Sequence, residues 1–134
     1  MLRLVAFLLA LYAPRPDFQA VVHYWQHELA LEDWNVSVQL VSATDLDDKT
    51  LGDIAPNLET KSAVIRILRE QDYHLPIRSA RADQRLTVAH EMVHLKRFVY
   101  PEPVSWTDEG ATDRETFEVL QQHSRWRELS VLER

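Results

Sequence analysis

Apolar residues recur at three- and four-residue spacing along two stretches of the chain, as they do on one face of a helix. In residues 17–31, Asp17 is placed to cap a helix, and the apolar positions that follow are Phe18, Val21, Val22, Trp25 and Leu29. Residues 80–98 are apolar on most sides of a helix, and Pro101 and Pro103 mark its end. Both stretches are predicted to be helices, and the second is predicted to be central.

Between these helices the period of the apolar positions changes to two, which is typical of a half-buried strand. Residues 34–40 alternate in this way, with apolar side chains at Trp34, Val36, Val38 and Leu40. β-branched residues predict a second strand over residues 63–68, and a weaker strand is expected over residues 51–55. A last helix is predicted from between residues 107 and 112 to about residue 129. This order predicts an α+β domain in which a small mixed sheet packs on helices.

Composition narrows the classes of protein to consider. With 134 residues, the chain is expected to form a single domain over residues 1–134. Its net charge is −6 and its basic residues are scattered, which argues against nucleic-acid binding, since that needs a concentrated positive face. Because the chain has no cysteine, any metal must be held by histidine, carboxylate, backbone or water.

The first thirteen residues, MLRLVAFLLALYA, are almost entirely apolar. They are fewer than the roughly 20 residues that a bilayer span needs, so no stable membrane span is expected. A signal-like start is the alternative, but a cut after Ala13 would leave Leu11 and Pro14 at unfavourable positions. We therefore expect a buried or partner-facing helix, suited to a protein partner or to self-association. The expected location is the cytoplasm, with secretion as the alternative.

The central helix contains the motif HEMVH at residues 90–94. Successive helical residues turn 100°, so His90 and His94 project within about 40° of each other and can close on one tetrahedral ion. Glu91 projects elsewhere but can reach a water beside the ion, as a general base must. With this His and Glu content the motif is expected by chance only about 0.02 times. A second pair, His23 and His27, has the same spacing but no carboxylate between its members, so we expect it to be a surface pair.

A catalytic zinc site needs a third protein ligand, and no third histidine follows at a suitable spacing. Three glutamates of the last helix compete for the role. We favour Glu115, because apolar residues follow it; Glu118 lies on nearly the same face, and only fourteen residues separate Glu109 from His94. Each also has an ordinary explanation. Glu115 could form a capping box with Thr112, Glu109 could be favoured by the helix dipole, and Glu118 could be solvated surface.

HEMVH followed by a glutamate-bearing helix resembles the gluzincins, the zinc peptidase clan that includes thermolysin. His90, Glu91 and His94 match the motif residue by residue, and Glu115 looks most like the third ligand. The whole chain is also similar to minimal single-domain gluzincins, with a first helix, a Trp-led strand (DWNVSVQL), an apolar strand (AVIRIL) and the HExxH helix. This resemblance implies a zincin-like fold, bound Zn²⁺ and a peptide or protein substrate.

The resemblance and the motif together favour a zinc metallopeptidase, a hydrolase in which Glu91 activates water. The chain is far shorter than thermolysin-type enzymes, and only the residue types of Tyr100, Arg114 and His123 suggest an oxyanion-stabilising group. A zinc-binding module with a structural or interaction role is therefore the alternative, since a fold does not guarantee activity. A metal-free interaction protein is the third hypothesis.

Overall fold

The computed structural model describes residues 15–122. Within them, three helices and a three-stranded sheet form a mixed α+β domain, as the sequence predicts. In chain order the elements are α1 (Phe18–Glu28), β1 (Asn35–Val41), β2 (Gly52–Asn57), β3 (Ser62–Leu68), α2 (Ile77–Val99) and α3 (Glu109–Gln122). Short 3₁₀ turns at Ala43–Asp45 and Glu70–Asp72 follow β1 and β3. The expectations for residues 1–13 and for the end of the last helix lie outside the described residues.

The helix boundaries differ from the predicted ones by a few residues. Asp17 caps α1 as predicted, because its Oδ1 accepts a hydrogen bond from the backbone N–H of Ala20 at 3.1 Å. The helix ends at Glu28 rather than at residue 31, and Ala30 adopts a left-handed φ of 55°. The second helix begins three residues earlier than predicted, since Pro76 occupies its N-cap, where a missing N–H interrupts no helical hydrogen bond.

The sheet has the strand order β1-β3-β2, with β3 parallel to β1 and antiparallel to β2. It is therefore mixed, as predicted. Ile65 and Ile67 of the central strand are fully buried. Within residues 15–122, β1 and β2 each leave one edge unpaired. Leu40, an apolar position of the predicted alternation, is 54% exposed. Alternation assigns a side chain to a face of the sheet but does not determine whether a helix covers it there.

The second helix is the centre of the domain, as its apolar pattern predicts. It packs against α1, against β2 and β3, and against α3. Apolar side chains from every helix and strand of the described residues join one core, to which α2 contributes Val88, Ala89, Met92, Val93 and Leu95. It is also the longest helix, at 23 residues. No helix among residues 15–122 is both long and apolar enough to cross a membrane.

The first residue of β2 lies against α2 at a distance that only glycine allows. A Cβ on Gly52 would come within 2.6 Å of the Thr87 Cγ2 atom and within 2.8 Å of the Arg66 carbonyl oxygen. Thr87 lies one turn before the HEMVH motif on α2. The missing side chain at Gly52 therefore lets an edge strand approach the turn of α2 that leads into the motif.

Candidate metal centre

The two histidines of the motif meet on the surface of α2 that faces α3. Their ring centroids are 4.7 Å apart, and their Nε2 atoms are 3.1 Å apart. The side chain of His94 is 4% exposed and that of His90 is 18% exposed. The structure thus brings together the pair that the four-residue spacing predicts, with both Nε2 atoms directed at one point.

The carboxylate of Glu109, in the first turn of α3, lies against both of these nitrogens. Its Oε2 is 2.9 Å from the Nε2 of His90, and its Oε1 is 3.1 Å from the Nε2 of His94. The Glu109 side chain is 71% exposed, so the carboxylate lies at the open side of the histidine pair. One carboxylate and two imidazole nitrogens therefore converge within about 3 Å of one another.

The structure does not bring Glu115, the favoured third ligand, to the histidines. Its Oε1 instead accepts a hydrogen bond from the Nζ of Lys96 at 2.9 Å. Glu118 is exposed. Of the three glutamates, the structure therefore places Glu109 against the histidines. The physical reason is the rotation of α3 about its axis: Glu109 and Glu115 are six residues apart and project about 120° from each other, so only one of them can face the histidines.

The other ring nitrogen of each histidine is also held. The Nδ1 of His94 is 2.7 Å from the carbonyl oxygen of Trp106, and the Nδ1 of His90 is 3.0 Å from the Oδ1 of Asp113. A carbonyl can only accept, so the Nδ1 of His94 carries a proton and donates to Trp106. In the neutral His94 ring, the Nε2 atom then presents its lone pair towards His90 and Glu109.

Burial favours the neutral form of the His94 ring. It lowers the pKa of His94, and the neighbouring His90 lowers it further, while the Trp106 carbonyl and Glu109 oppose the shift. The lone pair of the His94 Nε2 and the Glu109 carboxylate therefore face each other beside the His90 ring. Such an arrangement is satisfied by a cation placed between the three groups.

Glu91, the predicted general base, is a buried neighbour of this cluster. Its residue exposure is 4%, and one carboxylate oxygen lies within 4.8 Å of a ring nitrogen of His90 and of His94. Burial raises the pKa of Glu91 to about 8, and the charges of Glu109 and Asp53 add to the rise. A carboxyl group with this pKa can exchange a proton near neutral pH, as acid–base chemistry requires.

A cleft of about 490 Å³ opens beside the cluster. Its walls come from the segment before β2, from α2 and from α3, so the edge strand borders the site. The residues that line it are Lys49, Thr50, Leu51, Gly52, Asp83, Leu86, Thr87, His90, Glu91, Glu109, Asp113, Thr116 and Phe117. Four of these residues are carboxylates and Lys49 is the single lysine or arginine, so the lining is predominantly acidic.

The other candidates suggested by residue type lie elsewhere. Tyr100 donates its hydroxyl to the Ala30 carbonyl at 2.7 Å, and Arg114 is not among the residues that line the cleft. His123 lies outside the described residues. His23 is 3.1 Å from the side-chain amide of Gln19, on the exposed side of α1. Among residues 15–122, therefore, none of these side chains joins the HEMVH cluster.

Trp106 and Asp113 were missed by the sequence analysis. Asp113 had a signal, because it follows Glu109 by four residues and so projects within about 40° of it on a helix. Trp106 had none, since it contributes a backbone carbonyl, which every residue possesses. The Trp106 ring also packs edge-on against Phe98 and His94, with centroid distances of 5.2 and 6.3 Å.

Comparisons of the chain with models of known protein families, with curated proteins and with solved structures found no match. The functional proposal therefore depends on the geometry of the site and on the motif alone.

Proposed function

We propose that this chain is a zinc-dependent peptidase of gluzincin type, with His90, His94 and Glu109 as the metal ligands and Glu91 as the general base. One observation carries the proposal. The Nε2 atoms of two imidazoles and a carboxylate converge within 2.9 to 3.1 Å, while the Nδ1 of each ring lies against an oxygen of another residue.

The donor set fits zinc in type and in spacing. Two histidines and a glutamate are one of the ligand sets of catalytic zinc, which keeps its fourth position open. Ligand atoms of a tetrahedral zinc lie about 3.3 Å apart, close to the separations in this cluster. The Nδ1 atoms of His94 and His90 lie against the Trp106 carbonyl and Asp113. Carbonyl and carboxylate groups are the partners that orient metal-binding histidines in other proteins. The chemistry that zinc supplies when bound is Lewis acidity, which acidifies water and polarises a substrate carbonyl.

The proposed reaction assigns proton transfer to Glu91. Its carboxylate would take a proton from the attacking water and pass it to the nitrogen of the leaving amine. The position of Glu91 beside both histidines supports this role. Lys49 lines the same cleft and is the cationic side chain there that would orient a substrate.

An extended peptide could bind by adding to the free edge of β2. Within the described residues β2 is an edge strand, and Gly52 at its start lines the cleft next to α2. A peptide that hydrogen-bonds along this edge would pass beside His90 and Glu91. The proposed substrate is therefore a peptide or an unfolded segment of a protein.

The substitution Glu91→Gln tests the mechanism. It should leave bound zinc unchanged and lower the rate of peptide cleavage at least about 100-fold, because general-base catalysis contributes a factor of this size. Metal analysis of the purified protein and cleavage of a mixed peptide library measure the two effects. Glu118→Gln, an exposed change on α3, is the matched control. A Glu91→Gln protein that cleaves as fast as the parent would contradict the assignment.

A zinc-binding module without peptidase activity is the second candidate. The open side of the cluster favours it, since the side chains of Glu109 and Asp113 are each 71% exposed and no second subdomain closes over them within residues 15–122. If the chain is such a module, it should bind stoichiometric zinc that stabilises the fold. Neither the parent nor Glu91→Gln should then cleave peptides. A protein that binds no zinc would instead support the metal-free interaction protein.

A further inference from the structure

Arg97 is a buried arginine three residues after His94 on α2. Its residue exposure is 2%, so the guanidinium has lost almost all contact with water. A guanidinium has five N–H donors, and each buried donor needs an acceptor. Within residues 15–122 no carboxylate forms an ion pair with Arg97, so its charge is compensated by neutral acceptors.

All of these acceptors belong to one short segment, residues 104–112. The Nη2 atom donates to the carbonyl oxygens of Val104 at 3.3 Å and Ser105 at 3.0 Å. The Nη1 atom donates to the carbonyl oxygen of Asp108 at 3.2 Å and to the Oγ1 of Thr112 at 2.6 Å. Residues 100–108 form the connection between α2 and α3. The Arg97 side chain thus holds the end of the connection and the first turn of α3.

The atoms that Arg97 holds are next to the groups that face the histidines. Ser105 directly precedes Trp106, whose carbonyl accepts the proton of His94 Nδ1. Asp108 directly precedes Glu109. The hydroxyl of Thr112 also donates to the Asp108 carbonyl at 2.8 Å, which connects the two contacts of Nη1. Arg97 therefore controls the backbone on both sides of Trp106 and immediately before Glu109.

Besides Arg97, the Trp106 ring, which packs on Phe98 and His94, and the bond from Lys96 to Glu102 hold the connection. Residues 101–105 and 107–110 are exposed, and Trp106 is half-buried. The pairing of α2 with α3, in contrast, has support that does not involve Arg97: Leu120 is fully buried in the core and Lys96 bonds to Glu115. Loss of the guanidinium should therefore disorder the connection more than it separates the helices.

We propose that Arg97 is a positioning residue. It holds the Trp106 carbonyl in contact with His94, and the Glu109 carboxylate in contact with His90 and His94. This inference rests on the proposed metal centre. The alternative is that Arg97 only supports the fold. The two differ in what a conservative change would do to a protein that remains folded.

The test compares Arg97→Lys with Arg85→Lys, the same change on the same helix. Arg85 lies outside the cleft and outside the contacts of residues 104–112. Circular dichroism and urea unfolding first establish that each metal-free variant is folded. Zinc affinity is then measured by competition with a chromophoric chelator, and the visible spectrum of the Co²⁺ form reports the coordination geometry. In the metal-free protein, ¹⁵N shifts report which nitrogen of His94 is protonated.

Arg97→Lys keeps the charge but cannot reach four acceptors with a fork of donors. We expect it to be folded, to bind zinc about 10- to 100-fold more weakly and to alter the Co²⁺ spectrum, since partners of metal ligands contribute effects of this size. The fraction of His94 protonated on Nδ1 should fall as the Trp106 carbonyl moves away. Arg85→Lys should stay within about twofold of the parent.

A folded Arg97→Lys protein with parental zinc affinity and the parental His94 tautomer would overturn the proposal. So would a variant that is unfolded without metal, because Arg97 would then support the whole domain. If the parent binds neither zinc nor Co²⁺, the proposed function fails, and the His94 tautomer still decides the role of Arg97.

Discussion

The contact between α2 and α3 has two ends, and α3 places one glutamate carboxylate at each. The two ends differ in the side chains of α2 that the carboxylate faces. At one end the Glu109 carboxylate faces the Nε2 atoms of His90 and His94. At the other end the Glu115 carboxylate faces the ammonium group of Lys96. A permanent cation, Lys96, satisfies the second carboxylate, whereas the first faces two imidazole rings. This difference is the reason why the proposed metal centre lies at the histidine end.

The largest effect should come from removing each carboxylate in turn. Glu109→Gln is expected to weaken zinc binding at least about 100-fold, since it takes away a charged ligand rather than a partner of one. Glu115→Gln, the matched change six residues along α3, should leave zinc affinity unchanged. Chelator competition measures both. Equal losses of zinc affinity in the two variants would contradict the assignment of the metal to the histidine end.

A smaller effect is expected where Asp113 orients His90. Asp113→Ala removes the acceptor 3.0 Å from the His90 Nδ1 and should weaken zinc binding about 10-fold. Glu118→Ala, an exposed carboxylate about 140° away around the same helix, controls for the lost negative charge. If both variants bind zinc equally well, Asp113 does not orient the ring.

At the lysine end the same kind of change should alter stability and leave metal binding intact. Lys96→Met deprives Glu115 of its cation, and the Oε2 of Glu115 is already buried without a hydrogen-bond partner. We expect a loss of about 1 kcal/mol in the free energy of unfolding, measured in urea on the metal-free protein. The double variant with Glu115→Leu should recover part of that loss. A change in zinc affinity with no change in stability would contradict the assignment.

The smallest effect concerns alkaline pH. Burial would lower the pKa of Lys96, but hydrogen bonds to Glu115 and Glu102 and their charges outweigh it, so the pKa is raised above 10.5. A base whose pKa is raised by folding contributes stability that is present below its unfolded pKa and is lost as the pH rises through the folded pKa. The stability difference between parent and Lys96→Met should therefore shrink above pH 10.5, as urea unfolding at several pH values would show. A difference that is independent of pH would mean that the lysine charge contributes nothing.

The order of helices and strands could be predicted because it depends on local pattern. Asp17 caps the first helix as expected, and Ile65 and Ile67 form the buried centre of the sheet. The burial of particular side chains was harder to predict. Leu40 continues the alternation of its strand and is 54% exposed, since cover depends on which helix passes over that position.

The candidate site also has a part that the sequence predicts and a part that only tertiary packing decides. The convergence of His90 and His94, with Glu91 beside them, follows from 100° per residue on a single helix, which the sequence alone determines. Which glutamate meets them could not be deduced, because periodicity relates Glu109, Glu115 and Glu118 to one another but not to α2. The tertiary structure decided it. The packing of α3 against α2 turns Glu109 to the histidines, and at this end of the contact Arg97 donates to three carbonyl oxygens of the connection and to the Thr112 hydroxyl of α3.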